Sequence, residues 1–378
     1  MMPYPNRPTW LEINQDALRN NTQKLCAIIG PDCQLMAVIK ANAYGHGAAD
    51  VARIVLDAGA HYLAVASLSE AVELRNQSIQ APILVLGYTP PWLAEEAIAH
   101  NVTLTVYDLA LPQALSAACK VKASAIPVHV KVNTGMNRLG LVPDQVNDFV
   151  ALLHTLSGLV IEGIFTHFST SDLADKTYTY EQLARFNQVI HELRQRKICP
   201  PLAHAANSAA ILTVPESYQH FQMARSGIAL YGMHPDADDT RLPAEFQPAL
   251  QWKAMVAQVR TLSAGDSVSY GREFIAPHEM SVAVIPVGYA DGFPRKPHHW
   301  GSVLIHGQHA PIVGRVCMDQ TVVDVTHIDV SVQQGDEVVL IGRQGTTQIW
   351  AEEIGERLGT INYDVTSRIL ARVPRILF

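Results

Sequence analysis

A lysine stands at the end of an apolar, strand-like run near the start of the chain. Lys40 follows the run 35–39, and the tyrosine and glycines of 44–47 predict a turn that opens a helix over 48–59. Partial burial lowers the pKa of an ammonium group toward neutrality, so Lys40 is a candidate nucleophilic amine that could form a Schiff base with a carbonyl compound. The alternative is a lysine whose stem packs on apolar surface while its ammonium group reaches water.

Composition bounds the kind of protein that carries this lysine. The chain has 378 residues, of which 48% are hydrophobic and 17% charged, and its net charge is −7. This length predicts two domains, and the charge predicts no basic face for nucleic acid or anionic lipid. The N-terminus lacks an apolar signal segment, and no apolar run reaches membrane-spanning length. Five scattered cysteines show neither metal-binding nor disulfide spacing, so we expect a cytoplasmic protein without a metal site.

Strand and helix patterns alternate through the first two thirds of the chain. Short β-branched runs alternate with amphipathic stretches such as 67–75, 92–99, 143–156 and 180–196. Units of this size predict an α/β fold, an N-terminal (β/α)8 TIM-like barrel with its active site at the C-terminal ends of the strands. The eight predicted strands are 35–39, 62–66, 83–86, 102–106, 128–132, 159–166, 202–205 and 223–231.

The pattern changes after residue 246. Strands without long helices follow, separated by turn residues, and 355–361 is the late helical candidate. This part of the chain predicts a C-terminal, mostly-β domain. Its predicted strands are 255–259, 280–287, 302–305, 320–325 and 337–341.

Polar side chains recur just after the predicted barrel strands, where a barrel enzyme carries its catalytic groups. Any one of them could simply satisfy backbone groups at a strand end. Their coincidence on one rim favours a catalytic site instead. The residues are Lys40, Lys131, Arg138, His167, Asn207, Ser208 and Arg225.

The loops after the seventh and eighth strands predict an anion site. Such loops commonly bind phosphate in barrels, and Ser208, Gly227 and Ile228 lie there. Ser208 could alternatively be a helix N-cap. Nothing resembles a nucleotide-binding glycine motif. A phosphate site together with a reactive lysine fits pyridoxal 5'-phosphate, whose aldehyde needs an amine.

Motifs along the whole chain then identify a family resemblance. The chain resembles the alanine racemases over essentially its full length. The residues that carry the resemblance are AVIKANAYGHG at 37–47, KVNTGMNRLG at 131–140, THF at 166–168, HAANS at 204–208, RSGIALYG at 225–232, VSYG at 268–271, GYADG at 288–292, GRVCMDQ at 314–320 and NY at 362–363. The resemblance implies a barrel over 14–244, a β domain over 245–378 that residues 1–13 join as a strand, and a head-to-tail homodimer with shared active sites.

The resemblance implies racemisation of L-alanine and D-alanine by two bases on opposite faces of Cα. Lys40 matches the cofactor-linked lysine, and Tyr270 of the partner chain matches the second base. A tyrosine with an unperturbed pKa of about 10 needs a positive charge or a hydrogen bond, which His167 would supply. Arg225 matches the arginine that leaves the pyridine nitrogen unprotonated, which weakens the ring as an electron sink and favours reprotonation at Cα over side reactions.

The remaining site residues follow from the same resemblance. The expected cofactor contacts are Lys40, Tyr44, Arg138, Asn207, Ser208, Arg225, Gly227, Ile228 and Tyr363. The expected substrate contacts are Arg138, the backbone of Met318, Cys317, Asp319 and Tyr289, with Tyr289 and Tyr363 narrowing the entrance. For these two tyrosines the alternative is an ordinary aromatic core.

One residue departs from the family pattern. The segment before Arg138 more often reads Lys-Val-Asp-Thr-Gly in the family, whereas this chain has Asn133. In some members the lysine that corresponds to Lys131 carries a carbamate that orients the arginine. The alternative for Lys131 is an unmodified strand lysine.

Three other functions are alternatives to alanine racemisation. A non-catalytic pyridoxal-phosphate carrier would resemble the barrel alone, and the second domain with Tyr270 argues against it. A decarboxylase would need an acidic partner at the pyridine nitrogen, where Arg225 stands. A serine or broad-specificity racemase remains open, since one extra methylene or hydroxyl changes binding by only about 1–3 kcal/mol. A product D-alanine would feed peptidoglycan synthesis.

Overall fold

The computed structural model describes residues 6–236, 239–296 and 300–378. The chain forms two compact units. One contains Met1–Gln15, Tyr44–Gly47 and Pro248–Phe378, and the other contains Asp16–Ala43 and Ala48–Gln247. The first five residues of the segment 1–13, which we expected to join the β domain, lie outside the described residues. Strands are numbered in chain order, beginning with β1 at Thr9–Ile13.

The unit Asp16–Ala43 with Ala48–Gln247 is built on a closed barrel, which confirms the predicted fold class. Eight parallel strands close it in chain order. Their residues are almost all buried, as expected for parallel strands that are covered on both faces. The strands are β2 (Gln34–Val38), β3 (Tyr62–Val65), β4 (Ile83–Val85), β5 (Thr103–Val106), β6 (Ile126–Lys131), β7 (Leu159–Phe165), β8 (Leu202–His204) and β9 (Met223–Ser226).

Amphipathic helices connect the barrel strands. Each of the longer helices buries one stripe of side chains, such as Leu183, Phe186 and Ile190 in the longest helix. Among the described residues, no helix has both the length and the apolar character needed to cross a membrane. The helices in this part of the chain are Gln15–Ile29, Ala48–Asp57, Leu68–Asn76, Ala94–Ala99, Ala110–Lys122, Pro143–Leu153, Thr177–Gln195 and Ser208–Thr213.

The predicted barrel strands all form, and all but the last agree with the observed bounds to within two residues. The prediction of one strand over 223–231 was wrong. The strand ends at Ser226, Gly227 turns the chain (φ −114°, ψ −90°), and Ile228–Tyr231 is a 3-10 helix. A fully buried apolar run has the same sequence pattern in a helix as in a strand, so periodicity could not separate the two.

The other unit is mostly β, as predicted. Its largest sheet has the strand order β16-β15-β18-β10-β1-β20, with β19 paired to β18. A three-stranded sheet, β11-β14-β17, and the pair β12-β13 complete it. The strands are β10 (Leu250–Met255), β11 (Gln258–Leu262), β12 (Ser267–Val268), β13 (Phe274–Ile275), β14 (Met280–Ile285), β15 (Ser302–Ile305), β16 (Gln308–Pro311), β17 (Thr321–Asp324), β18 (Glu337–Gln344), β19 (Thr347–Ile349) and β20 (Arg375–Leu377).

Two predictions for this unit were wrong. The strand expected over 255–259 is the junction of two strands, because Met255 ends β10 and Gln258 begins β11. The helix expected over 355–361 is Ala351–Leu358, and a second helix, Asn362–Ser367, follows it. Gly359 adopts a left-handed conformation (φ +67°) that ends the first helix.

Gly45 and Gly265, both in the unit that contains β10, differ in the space that each leaves for a side chain. Both have positive φ, +88° and +93°, but a Cβ on Gly45 would overlap the carbonyl oxygen of Thr366, whereas a Cβ on Gly265 meets nothing within 4 Å. We expect Gly265→Ala to cost about 1–2 kcal/mol from its backbone conformation alone. Gly45→Ala should cost about 1–3 kcal/mol more through overpacking. Urea unfolding of both variants measures the difference, and equal losses would contradict the overlap.

Candidate functional site

Lys40 stands at the start of a strained turn directly after β2. The backbone of Ala41, Asn42, Ala43 and Tyr44 is left-handed, with φ between 51° and 54°. This conformation costs roughly 1–2 kcal/mol per L-residue, so surrounding contacts must hold it.

Glu70 provides such contacts. Its Oε1 accepts a hydrogen bond of 2.7 Å from the backbone N–H of Ala41, and its Oε2 accepts one of 2.7 Å from Ala66. One carboxylate therefore joins the chain after β2 to the chain after β3 and fixes where the Lys40 turn begins.

The electrostatic surroundings of Lys40 favour a reactive amine. Burial lowers the pKa of Lys40, the positive charge of Arg138 lowers it further, and Glu70 partly opposes both. An amine with a lowered pKa is deprotonated more often at neutral pH, which is the form that attacks a carbonyl. This environment supports the nucleophile over the solvent-reaching alternative.

The loop that carries Arg138 is held by the helix Thr177–Gln195. Gln182 is fully buried and donates to Thr134 Oγ1 (3.4 Å) and to the carbonyl of His167 (3.2 Å). Its Oε1 accepts from the backbone N–H of Ser169 (2.9 Å), and Arg185 donates to the carbonyl of Thr134 (2.8 Å). Hydrogen bonds from this one helix therefore hold both the loop after β6 and the loop after β7.

Asn133 serves the turn before Arg138 despite its departure from the family pattern. Its Oδ1 accepts hydrogen bonds from the backbone N–H groups of Gly135 (3.1 Å) and Asn137 (3.0 Å). A carboxylate oxygen would accept the same two bonds. The substitution therefore removes a charge near Arg138 but keeps the turn.

Lys131 is buried at the end of β6, with 8% of its surface exposed. Its Nζ lies 4.2 Å from the centre of the Phe165 ring. Burial lowers its pKa well below the ordinary value, and the charges of Arg225 and Arg138 add to the effect. An uncharged amine is the form that reacts with CO2, so carbamate formation at Lys131 stays a prediction with a favourable environment.

Arg225 lies inside the barrel, where burial lowers its pKa to about 9. It therefore keeps its charge at neutral pH. Nη2 donates to the carbonyls of Thr166 (2.8 Å) and Ala205 (3.1 Å), and Nη1 lies 2.8 Å from Nδ1 of His204. These bonds fix the guanidinium plane.

His167 is a neutral imidazole. Burial lowers its pKa well below the ordinary value, and Arg225 is the strongest of the neighbouring cations that lower it further. Nη2 of Arg225 lies 3.3 Å from Nδ1 of His167. A guanidinium only donates, so this contact assigns the imidazole proton to Nε2. His167 can thus support a neighbouring oxygen through a hydrogen bond, whereas its lowered pKa disfavours the positive charge that we also considered.

Ser208, where we predicted an anion site, is not the N-cap of the helix that follows it. Asn207, and not Ser208, caps the helix Ser208–Thr213, because its Oδ1 accepts from the N–H of Ala210 (3.0 Å). The N-cap alternative for Ser208 is therefore wrong. Ser208 Oγ instead accepts from the N–H of Gly227 (2.9 Å). The buried N–H of Ile228 has no acceptor within the described ranges, which suits an anion.

Tyr270 belongs to the unit that contains β10, and 65% of its surface is exposed. It begins the 3-10 turn Tyr270–Arg272 after Ser269, whose backbone is strained (φ 62°, ψ −170°). Ser269 Oγ donates to the carbonyl of Arg315, and Arg315 forms an ion pair with Glu273. A fixed backbone thus presents an exposed phenol.

Tyr289 lies on a turn that is hydrogen-bonded to the loop carrying Cys317 and Met318. The N–H of Tyr289 donates to the carbonyl of Cys317 (3.1 Å), and that of Ala290 donates to the carbonyl of Met318 (3.0 Å). A Cβ on Gly288 would overlap the Met318 carbonyl, so a glycine permits this approach. Three predicted substrate contacts are therefore brought together.

The turn and loop are also joined by a buried carboxylate. Asp291 accepts from Arg372 Nε (2.7 Å) and Arg7 Nη1 (2.8 Å), and Arg372 also binds Asp319. Although burial opposes ionisation, these hydrogen bonds lower the pKa of Asp291. Asp319 is thereby tied to Arg372 beside the predicted contacts.

Tyr44 and Tyr363 lie together in the same unit. Their ring centres are 5.9 Å apart. Burial raises the pKa of Tyr44, so its phenol stays protonated and can donate a hydrogen bond.

Within the described residues, no three His, Cys, Asp or Glu side chains are grouped as a metal would require.

Sequence reasoning missed several polar side chains that hold the site residues. The signal that could have found some of them is a charged or imidazole side chain inside an apolar strand, as in Val-His-Val at 128–130 and Ile-Glu-Gly at 161–163. Glu70 and Gln182 lie on helices and Arg372 lies near the C-terminus, where no local pattern marks them, whereas Asp291 lies in the motif 288–292, which did not reveal its partners. The missed residues are Glu70, His129, Glu162, Gln182, Asp291 and Arg372.

Comparisons with known proteins agree with the resemblance that the motifs gave. Residues 13–235 match the family described as "Alanine racemase, N-terminal domain", and residues 249–377 match "Alanine racemase, C-terminal domain". An alanine racemase of Desulforamulus reducens is 44% identical over 98% of both chains. One of Methanococcus maripaludis is 42% identical over 98% of this chain and 99% of its own.

Solved structures show the same fold. An alanine racemase of Clostridium difficile superposes with a TM-score of 0.93 and 38% identity, over 99% of this chain and 96% of its own. A histidine racemase of Leuconostoc mesenteroides superposes with a TM-score of 0.91 and 30% identity over 100% of both chains.

The neutral histidines predict how stability depends on pH. Burial lowers the pKa of His129, His167 and His204, so the unfolded chain takes up protons below its pKa of about 6.5 while the folded chain does not. The free energy of unfolding should therefore decrease as the pH is lowered below about 6.5. The decrease should be up to about 1.4 kcal/mol per pH unit for each histidine.

Urea unfolding of the cofactor-free protein at pH 7.5, 6.5 and 5.5 measures this slope. His167→Gln should reduce the slope between pH 6.5 and 5.5, whereas His191→Gln, at an exposed position, should leave it unchanged. An unchanged slope in His167→Gln would show that the imidazole is protonated in the folded protein.

Proposed function

The chain belongs to the alanine racemase family, and from that membership we propose that it interconverts L-alanine and D-alanine with pyridoxal 5'-phosphate. The observation that carries the proposal is the rim of the barrel. An amine with a lowered pKa, Lys40, follows β2, and a buried cation, Arg225, lies in β9 just before its last residue, Ser226.

The residues of the chain suit this cofactor. When bound, pyridoxal phosphate supplies an aldehyde for an amine and a ring that withdraws electrons from the substrate Cα. Lys40 would hold the aldehyde carbon, and the orphan N–H of Ile228 with Ser208 and Gly227 would hold the phosphate. Asn207, Arg138 and the phenols of Tyr44 and Tyr363 complete the proposed contacts.

We propose that Lys40 Nζ and Tyr270 Oη exchange protons with opposite faces of Cα. The amine can take a proton at neutral pH because burial and Arg138 lower its pKa. A phenol, with an unperturbed pKa of about 10, needs a donor that stabilises its anion. Nε2–H of His167 would be that donor, through a hydrogen bond and without a charge.

Arg225 would decide which reaction follows. A guanidinium gives up its proton far less readily than a carboxylic acid, so Arg225 would bind the ring nitrogen without protonating it. The ring would then withdraw less charge from Cα, which would favour the return of a proton to Cα over the breaking of other bonds. A decarboxylase would require an acid where Arg225 stands.

Substrate binding is proposed at Arg138 and at the loop 317–319. The guanidinium of Arg138 and the backbone N–H of Met318 would hold the carboxylate. Cys317 and Asp319 adjoin that N–H in sequence, and Tyr289 and Tyr363 would limit the length of the side chain. The solved histidine racemase has this fold over its full length, so a serine or broad-specificity racemase is the alternative.

We also propose a modification of Lys131, a site shared between two copies and a cellular role. A carbamate on Lys131 would replace a neutral amine by an anion close to Arg138. Tyr270 would serve the site of a second copy, and the enzyme would then be a homodimer. The product D-alanine would supply peptidoglycan synthesis in the cytoplasm.

Lys40 should be the residue that carries the cofactor. We expect borohydride to fix the cofactor covalently on Lys40 in the loaded protein, because it reduces a carbon–nitrogen double bond. Peptide mass mapping locates the label, and a racemisation assay on a panel of L-amino acids gives the substrate range. Lys131 is the internal control, since a label there would reject the assignment. Absence of activity on every amino acid in the panel would revive the carrier function.

Mixed dimers should test whether two copies share each site. Lys40→Ala and Tyr270→Ala are each expected to be nearly inactive. After the two are unfolded together and refolded, half of the dimers are mixed, and about a quarter of all sites should regain both residues in a two-fold symmetric dimer. Wild-type protein refolded in the same way is the control. Recovery of the control without recovery of the mixture would place both bases in one chain.

A further inference from the structure

A line of polar side chains crosses the inside of the barrel from Arg225. Nη1 of Arg225 lies 2.8 Å from Nδ1 of His204. Nε2 of His204 lies 2.9 Å from Nδ1 of His129, and Nε2 of His129 lies 3.1 Å from Oε2 of Glu162. Tyr62 donates its phenol proton to the same carboxylate oxygen. The guanidinium and both imidazoles are buried, and the Glu162 side chain is 28% exposed.

The three hydrogen bonds that lead from Arg225 to Glu162 all point the same way. Arg225 can only donate, so Nδ1 of His204 accepts and the proton of His204 lies on Nε2. That proton goes to Nδ1 of His129, which leaves the proton of His129 on Nε2, facing Glu162. Burial lowers the pKa of both histidines, so each is neutral and holds one proton.

The far end of the line is an anion. Burial alone would raise the pKa of Glu162, but the hydrogen bonds from His129 and Tyr62 lower it. Glu162 is therefore ionised at neutral pH. A permanent cation and a carboxylate are thus joined through two neutral rings whose dipoles align with both charges.

The barrel departs from regular geometry to make this line. The register of β6 against β7 shifts after Val128, so that Ile161 pairs with Val128 and Gly163 pairs with His129, with Glu162 as the extra residue. A bulge of this kind re-aims a side chain. At Gly163 a Cβ would overlap the His129 ring, so only glycine leaves room for the imidazole.

We propose that Glu162 is a positioning residue that acts on Arg225 through His129 and His204. Its carboxylate compensates the buried positive charge without touching it, and the two rings hold the guanidinium in one plane. The line of hydrogen bonds stands by itself, and only the consequence for catalysis rests on the proposed function, in which Arg225 binds the ring nitrogen of the cofactor.

The tautomers of the two histidines test the line without any cofactor. In the cofactor-free protein with nitrogen-15-labelled histidine, nuclear magnetic resonance should show His129 and His204 neutral at pH 7, each protonated on Nε2. Glu162→Gln keeps an oxygen that accepts from His129 and should keep this pattern. A charged ring, or a proton on Nδ1 in the unmodified protein, overturns the line even if the racemase activity is confirmed.

Kinetics test the action on Arg225. Glu162→Gln should lower kcat about tenfold, the lower end of what partners behind a functional group contribute, with KM changed less than about twofold. In an Arg225→Lys background the same change should lower the residual kcat less than about twofold, because the residue through which Glu162 acts is altered. Equal losses in both backgrounds overturn the proposal, whereas absence of racemisation in the unmodified protein rejects the proposed function instead.

Matched variants separate this role from a loss of stability. Glu192→Gln also removes a hydrogen-bonded carboxylate, one that binds Asn147 and Gln188 outside the line, and should leave kcat unchanged. Tyr62→Phe removes one hydrogen bond from Glu162 but keeps its charge, and should lower kcat less than Glu162→Gln. If Glu162→Gln does not fold, an unchanged kcat in Tyr62→Phe together with mixed tautomers in the unmodified protein overturns the proposal.

Discussion

The barrel encloses a permanent positive charge, and much of its polar structure follows from that constraint. Burying an isolated cation is strongly unfavourable, so a buried arginine needs acceptors for its donors and a compensating charge. Arg225 obtains the acceptors from the carbonyls of Thr166 and Ala205 and from the ring of His204. The barrel centre, which most barrels fill with branched apolar side chains, here contains imidazoles and a carboxylate.

Backbone strain is the second constraint, and it occurs beside the residues proposed to act as bases. The left-handed turn after Lys40 and the backbone of Ser269 before Tyr270 are unfavourable for L-residues. Each is held by a side chain, Glu70 in one unit and Ser269 itself in the other. A conformation held in this way places the next functional group in one position, which lowers the entropic cost of bringing it to a reacting atom.

Much of the fold could be predicted from sequence because the barrel strands are short apolar runs at regular spacing. The prediction of a strand failed at Ile228–Tyr231, because a run that is apolar throughout carries no period that separates helix from strand. The rim residues could be found because Lys40, His167 and Arg225 follow strands. Their supports could not be found, because Gln182 and Asp291 act through contacts between segments far apart in sequence, which local patterns do not encode.

The same positive charges explain how one rim can both bind anions and supply a base. The guanidinium groups of Arg138 and Arg225 donate hydrogen bonds in a planar fork that matches carboxylate and phosphate groups, so they attract these anions. Burial lowers the pKa of Lys40, Lys131 and His167, the charge of Arg138 lowers all three further, and Arg225 adds to the effect at Lys131 and His167. The protonated forms of these groups are thereby disfavoured relative to the same groups in water. Replacing Arg138 by a neutral residue would therefore weaken anion binding and also raise the pKa of Lys40, so that less of the amine would be in its free-base form at neutral pH.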